Sequence, residues 1–225
     1  MRFATNALNL GFDAFVEPRS ALPMPIGAHG QVPSLTEEAT AEASAGPTGL
    51  IRHRNMAVVA ADIANYCCLI EQDPLDTALR VRWLRGHLLQ PAVLAHHGRV
   101  VDCAGDAALL AFPEAAQAVG CALAVQRRLE LAESGRPAER RIRLRIGISR
   151  DEVLLIENEL YGTAVNVAAR LMALGEPGEI CLTEAVAESL NPELKARCEA
   201  LGPQAIRNIA CPVQVHRIGR ARMGG

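Results

Sequence analysis

Residues 160–174 read LYGTAVNVAARLMAL, and the spacing of their side chains predicts a helix with two unlike faces. Val165, Val167, Ala168, Leu171 and Leu174 recur at the interval of a half-buried helix, while Asn166 and Arg170 stand four apart and share a face. An amide and a guanidinium therefore project together. Such a face is often no more than a solvated one, but two upstream carboxylates give it another meaning. Asp62 ends the apolar run MAVVAAD, and Asp106 sits in the turn of the hairpin-like pattern RVVDCAGDAALLAF. Carboxylates at strand ends suit hard divalent cations, and Arg with Asn suits a phosphate, so the two groups together outline a nucleotide site.

The chain has 225 residues, 50% of them hydrophobic, which is enough for one good core and cramped for two full domains. A net charge of -2 gives no electrostatic footprint for nucleic acid, so none is expected as a partner. The densest basic cluster, Arg140, Arg141, Arg143 and Arg145, alternates as on one side of a strand and reads as a solvated face or a contact surface. Seven cysteines without a CxxC pair fit reduced thiols in a cytoplasmic setting better than a disulfide framework or a zinc site. No run approaches the roughly 18 apolar residues of a membrane helix. The N-terminus has neither the basic start nor the apolar core of a signal peptide, so a soluble cytoplasmic protein is expected.

Along the chain, residues 1–16 could form a short amphipathic helix, and residues 17–50 carry Pro18, Pro23, Pro25, Pro33 and Pro47 among small and polar residues. That mixture reads as a mobile linker. The expected division is an extension over 1–50, a folded body over 51–219 and a tail over 220–225. Within the body, a strand at 56–62 leads to a helix at 74–97, with Leu75, Leu79, Trp83, Leu84, Leu88 and Leu89 as its buried stripe and a kink at Pro91. Strands at 99–103 and 107–112, a helix at 114–132 and strands at 142–149 and 152–156 follow. After the Asn and Arg helix come a turn at Gly175–Gly178, a short strand, a helix with Thr183 as its N-cap, and extended segments at 197–206 and 212–218. The order is β-α-β-β-α-β with additional strands and helices. That is the α+β, ferredoxin-like plan of a mostly antiparallel sheet covered by helices on one face.

Six segments carry a family resemblance: VVAADIANY, GRVVDCAGDAALLAF, IRLRIGI, LYGTAVNVAARL with the following GEPGEICLT, and IRNIACPVQVHRI. From about Met56 to Ile218 the chain resembles a class III nucleotidyl cyclase catalytic domain, with these segments in the family's order. The resemblance implies conversion of ATP or GTP to the 3′,5′-cyclic monophosphate and pyrophosphate by a homodimer whose sites lie at the interface. It implies two Mg²⁺ or Mn²⁺ ions per site, held by Asp62, Asp106 and the backbone carbonyl of Ile63. On the opposite wall it implies Arg170 for the charge developing at the α-phosphate and Asn166 for the ribose. Arg207 stands where the family often has a phosphate-binding Lys.

The sequence also departs from that pattern. Asp102 and Glu159 fall at the two base-recognition positions, where adenylate cyclases carry Lys and then Asp or Thr. A carboxylate at the first can accept from guanine, which leaves ATP and GTP both open. Asn65 and Cys67 replace a common Gly and a Ser or Thr, Ala107 replaces Gly, and Asp151 stands for a Gly that matters if its φ is positive. An alternative reading follows from these changes: a cyclase homology domain that keeps the fold and dimer and serves as a nucleotide-binding or regulatory module.

Overall fold

Strand β1 (Ile51–Ile63) is buried on both sides from Met56 onward, which is why its sequence runs as continuous small apolar residues instead of alternating. In the computed structural model, which describes residues 51–156, 159–207, 209 and 211–219, β1 lies between two antiparallel neighbours. One is β3 (Ala107–Phe112) and the other β4 (Leu144–Ile156). β2 (Arg99–Ala104) flanks β3, so the strands β2-β3-β1-β4 form the antiparallel ferredoxin-like core that the sequence predicts. β6 (Ile180–Thr183) joins β4 in parallel, and β8 (Val213–Ile218) and β7 (Glu199–Gln204) extend the sheet beyond it. β5 (Glu159–Tyr161) pairs with the far end of β4. The extension over 1–50 and the tail over 220–225 lie outside the described residues.

Helices cover both faces of the sheet, not one. Ala57, Val59, Ala61 and Ile63 of β1 pack with α2 (Pro74–Trp83), α3 (Gln90–Ala95), α4 (Ala115–Glu133) and α6 (Glu184–Glu188). Met56, Val58 and Ala60 point the other way and pack under α5 (Thr163–Leu174) through Ala164, Ala168 and Met172. Val167 and Leu171 of the same helix close a third cluster with Cys181 and Val215. The amphipathic reading of 160–174 thus holds for Val167, Ala168 and Leu171, while Leu174, at the last turn, is exposed.

Three local expectations change. The rod expected at 74–97 forms as α2, a π-helical stretch (Leu84–Leu89) and α3, with Pro91 in the first turn of α3. The wider turn accommodates a residue that cannot donate. Its inward stripe is Thr77, Val81, Leu84 and Leu88, whereas Leu75, Leu79 and Trp83 are 71%, 58% and 40% exposed. The rotation is fixed by polar contacts: the Thr77 hydroxyl donates to Leu69 O at 2.9 Å, and Arg80 pairs with Glu133 of α4 at 2.8 Å. The strands expected at 142–149 and 152–156 are one strand, β4. Asp151 sits inside it opposite Met56 with no positive φ, so the missing glycine costs the backbone nothing there. Thr183 precedes α6, but its hydroxyl makes no capping bond. No helix among the described residues is long and apolar enough to cross a membrane.

Candidate active site

The antiparallel register places Asp62 of β1 between Ala107 of β3 and Arg145 of β4. Asp62 is 1% exposed, and a carboxylate so buried requires a partner. Arg145 supplies it with both arms of its fork: Nε donates to Oδ1 at 3.0 Å and Nη2 to Oδ2 at 2.6 Å. Asp106 is half-buried in the β2–β3 turn beside Gly105, whose φ is 57°. Its carbonyl accepts from Ile63 N at 3.1 Å, which ties the turn to the end of β1. The hydrogen bonds to Asp62 hold the Arg145 guanidinium above its ordinary value, and the charges of Asp62 and Asp106 push the same way. Glu176 adds to them, so three carboxylates act on one cation.

This corrects the reading of Arg145 as part of a solvated strand face. Of the cluster only Arg145 lies in a strand, since Arg140 is in a short 3-10 helix (Ala138–Arg140) and β4 starts at Leu144; the partner of Arg145 is invisible in sequence because it is 83 positions away. Of the same cluster, Arg141 donates to the carbonyls of Ser134 and Arg136, and the Arg143 carbonyl accepts from Ala64 N at 2.9 Å.

The donors present fit a hard divalent ion. Among the described residues no group of three or more His, Cys, Asp or Glu side chains is placed to hold a metal. A cation at Asp62 and Asp106 would complete its shell from backbone carbonyl, water and phosphate oxygen. Mg²⁺ is commonly bound in that way, by one or two carboxylates with substrate phosphates.

Between β1 and α1 (Tyr66–Gln72) the chain turns at Asn65, whose φ of 57° and ψ of 31° are left-handed. Asn tolerates this conformation better than other residues with a side chain, so the exchange of glycine for Asn65 keeps the loop's shape. Cys67 and Cys68, which follow, are exposed.

On α5, Asn166 and Arg170 are both half-buried and stand on the same side, outside the core clusters. Arg170 Nη1 donates to Asn166 O at 3.1 Å. The helix is pressed onto the sheet at Gly147, and Ser149 Oγ donates to Ala164 O at 2.6 Å. Asp102 is exposed on β2, where its carboxylate accepts from Cys103 N at 2.7 Å next to a bulge between Val100 and Asp102. Glu159 is exposed on β5 and accepts from the Tyr161 hydroxyl, which raises the phenol's pKa. Arg207 is exposed in a turn after β7. The single chain brings together Asp62, Ile63, Asp106 and Arg145, and separately Asn166 and Arg170. No hydrogen bond or ion pair described within the chain links the two groups.

A model of the adenylate and guanylate cyclase catalytic domain matches residues 51–216. A protein of Rhizobium meliloti assigned as adenylate cyclase 3 is 35% identical over 167 residues, covering 73% of this chain and 28% of that one. The serine/threonine-protein kinase pkn2 of Myxococcus xanthus is 27% identical over 184 residues, 82% of this chain and 22% of the kinase. The chain thus spans about a quarter of the length of these two relatives. Among solved structures, an adenylate/guanylate cyclase/hydrolase from Silicibacter pomeroyi superposes with a TM-score of 0.72 at 34% identity, covering 76% of this chain and 100% of that one. The adenylyl cyclase CyaB of P. aeruginosa shares the fold at a TM-score of 0.66 and 18% identity, over 77% and 98% of the two chains.

Proposed function

The chain belongs to the adenylate and guanylate cyclase catalytic domain family, and from that premise we propose that it converts ATP, or GTP, to the 3′,5′-cyclic monophosphate and pyrophosphate, for cyclic-nucleotide signalling in the cytoplasm. The observation that carries this reading is the junction of β1 with the β2–β3 turn, where Ile63 N donates to the Asp106 carbonyl at 3.1 Å and the buried Asp62 stands opposite Ala107.

In this reaction the ribose 3′-oxygen forms a bond to the α-phosphorus, the bond from that phosphorus to the bridging oxygen of the β-phosphate breaks, and the hydroxyl proton passes to solvent. Bound Mg²⁺ or Mn²⁺ would supply Lewis-acid polarisation of the phosphates and acidify the hydroxyl. Asp62, Asp106 and the Ile63 carbonyl are the groups that would hold the ions. Arg170 neutralises charge developing at the α-phosphate, and Asn166 holds the ribose so that the attacking oxygen stays in line. Among the described residues no hydrogen bond or ion pair links these two wall groups to the acids, which supports a homodimer whose sites are completed by Asn166 and Arg170 of the second copy. Asp102 and Glu159 are the groups offered to the base and Arg207 to the phosphates. All three are exposed in the single chain, as groups meant to meet ligand or partner must be.

The test is to incubate purified protein with ATP or GTP and Mn²⁺ and to measure cyclic product and pyrophosphate. The reading predicts product in stoichiometric yield with pyrophosphate, lost in Asp106→Ala. Metal-dependent nucleotide binding without product would replace it with a regulatory module.

A further inference from the structure

We propose that Arg145 is a resident counter-ion that competes with the divalent cation for Asp62, so that metal enters the site tightly only together with an anionic nucleotide. The inference rests on the assignment of Asp62 and Asp106 as the metal-binding acids.

Both oxygens of the buried Asp62 are already engaged, at 3.0 and 2.6 Å, by a side chain that is 29% exposed. A cation that ligates Asp62 must take at least one oxygen from this fork. It then stands beside a guanidinium that cannot lose its proton. With Arg145, Asp62, Asp106 and Glu176 all charged, the local sum is two negative charges. A divalent ion alone neutralises that sum but leaves two cations crowded on the same carboxylate. A polyphosphate arriving with the ion reverses this, because two of its oxygens offer the displaced guanidinium fork a bidentate partner of its own. Metal and nucleotide affinities are therefore coupled through Arg145, and by linkage each raises the other by the same factor.

Arg145 is a positioning residue in this scheme, and removing it has opposite effects on the two halves of the cycle. Without nucleotide, its loss frees Asp62 and tightens metal binding. With nucleotide, its loss removes a favourable contact. A residue that merely held the fold together would weaken both.

The experiment is Mn²⁺ binding followed by electron paramagnetic resonance, with and without α,β-methylene-ATP, on the full chain and on its Arg145→Gln, Arg145→Lys and Asp106→Asn variants. In the unaltered protein the nucleotide should tighten Mn²⁺ binding by about 10-fold or more. In Arg145→Gln, nucleotide-free Mn²⁺ should bind about 10-fold more tightly and the nucleotide's effect should shrink towards none. Arg145→Lys keeps the charge without the fork and should fall between the two, which covers the case in which Arg145→Gln fails to fold. Asp106→Asn should lose the signal, which assigns it to this site. Unchanged or weaker nucleotide-free binding in Arg145→Gln, or Mn²⁺ binding indifferent to nucleotide in the unaltered protein, would overturn the proposal. Because binding is read without turnover, an absence of cyclic product would refute the proposed reaction and leave this result to be judged by itself.

Discussion

Gly147 of β4 lies directly beneath the carbonyl of Ala168 on α5: a methyl group on Gly147 would sit 2.0 Å from that oxygen and 2.3 Å from Met172 N. Both neighbours are backbone, so neither can swing aside, and α5 would have to lift off the sheet. Gly147→Ala is expected to destabilise the protein by about 2–3 kcal/mol through overpacking. It should also displace Asn166 and Arg170 and depress cyclase activity more than stability at 25 °C accounts for. Denaturant unfolding and product assays on the same preparation check this.

Asn65 carries the left-handed turn that leads from Asp62 into α1. Asn65→Gly should be neutral within a few tenths of a kcal/mol. Asn65→Val, β-branched at a positive φ, should cost about 1–2 kcal/mol and weaken Mn²⁺ binding as the loop shifts. Equal stability of the Gly and Val variants would show that the loop is not held in this conformation.

Burial pushes the Cys121 thiol up to about 12 and the Cys181 thiol up to about 11, from 9.0. In the unfolded chain both protons leave near the ordinary value. Their contribution to stability is therefore complete below about pH 9 and is lost as pH rises towards 11 and 12. Thermal unfolding should move to lower temperature above pH 9. Native alkylation at pH 8 followed by mass spectrometry should modify the exposed Cys67, Cys68 and Cys211, leaving Cys121 and Cys181 intact until the chain unfolds.

The outward turn of α2 makes Leu75 and Leu79 nearly dispensable for folding. Leu75→Gln and Leu79→Gln should each change stability by less than about 0.5 kcal/mol, the range of ordinary surface substitutions. Leu88→Ala, at 1% exposure, should cost about 2–5 kcal/mol. Chemical denaturation of the three variants separates the two stripes.

That helix shows where sequence reading reaches its limit. Two apolar stripes run along residues 75–89, and both satisfy helical periodicity. Which of them faces the core is settled by the Thr77 hydroxyl and the Arg80–Glu133 pair, contacts to a backbone carbonyl of α1 and to a residue remote in sequence. The core strands and the α5 stripe were legible because their patterns are local: alternation or continuity within a strand, and 3.6-residue spacing within a helix. The placement of the two acids beside turns was legible from local pattern: Asp62 comes one residue before the end of β1, and Asp106 lies in the β2–β3 turn. Arg145 was not, since its role follows from the pairing register of β1 with β4, which no single segment encodes. Coverage of the second sheet face by α5 was likewise hidden, because Gly147 signals close approach only once its neighbour is known.

The most direct test of the composite site is complementation. Asp62→Ala and Arg170→Ala proteins, each inactive alone, are mixed in equal amounts and assayed for cyclic nucleotide with Mn²⁺. Random pairing makes half of the dimers mixed, and each mixed dimer has one intact site of two, so activity should return to about a quarter of the unaltered protein's. No recovery from folded, dimeric variants that exchange subunits would contradict a site built from both copies.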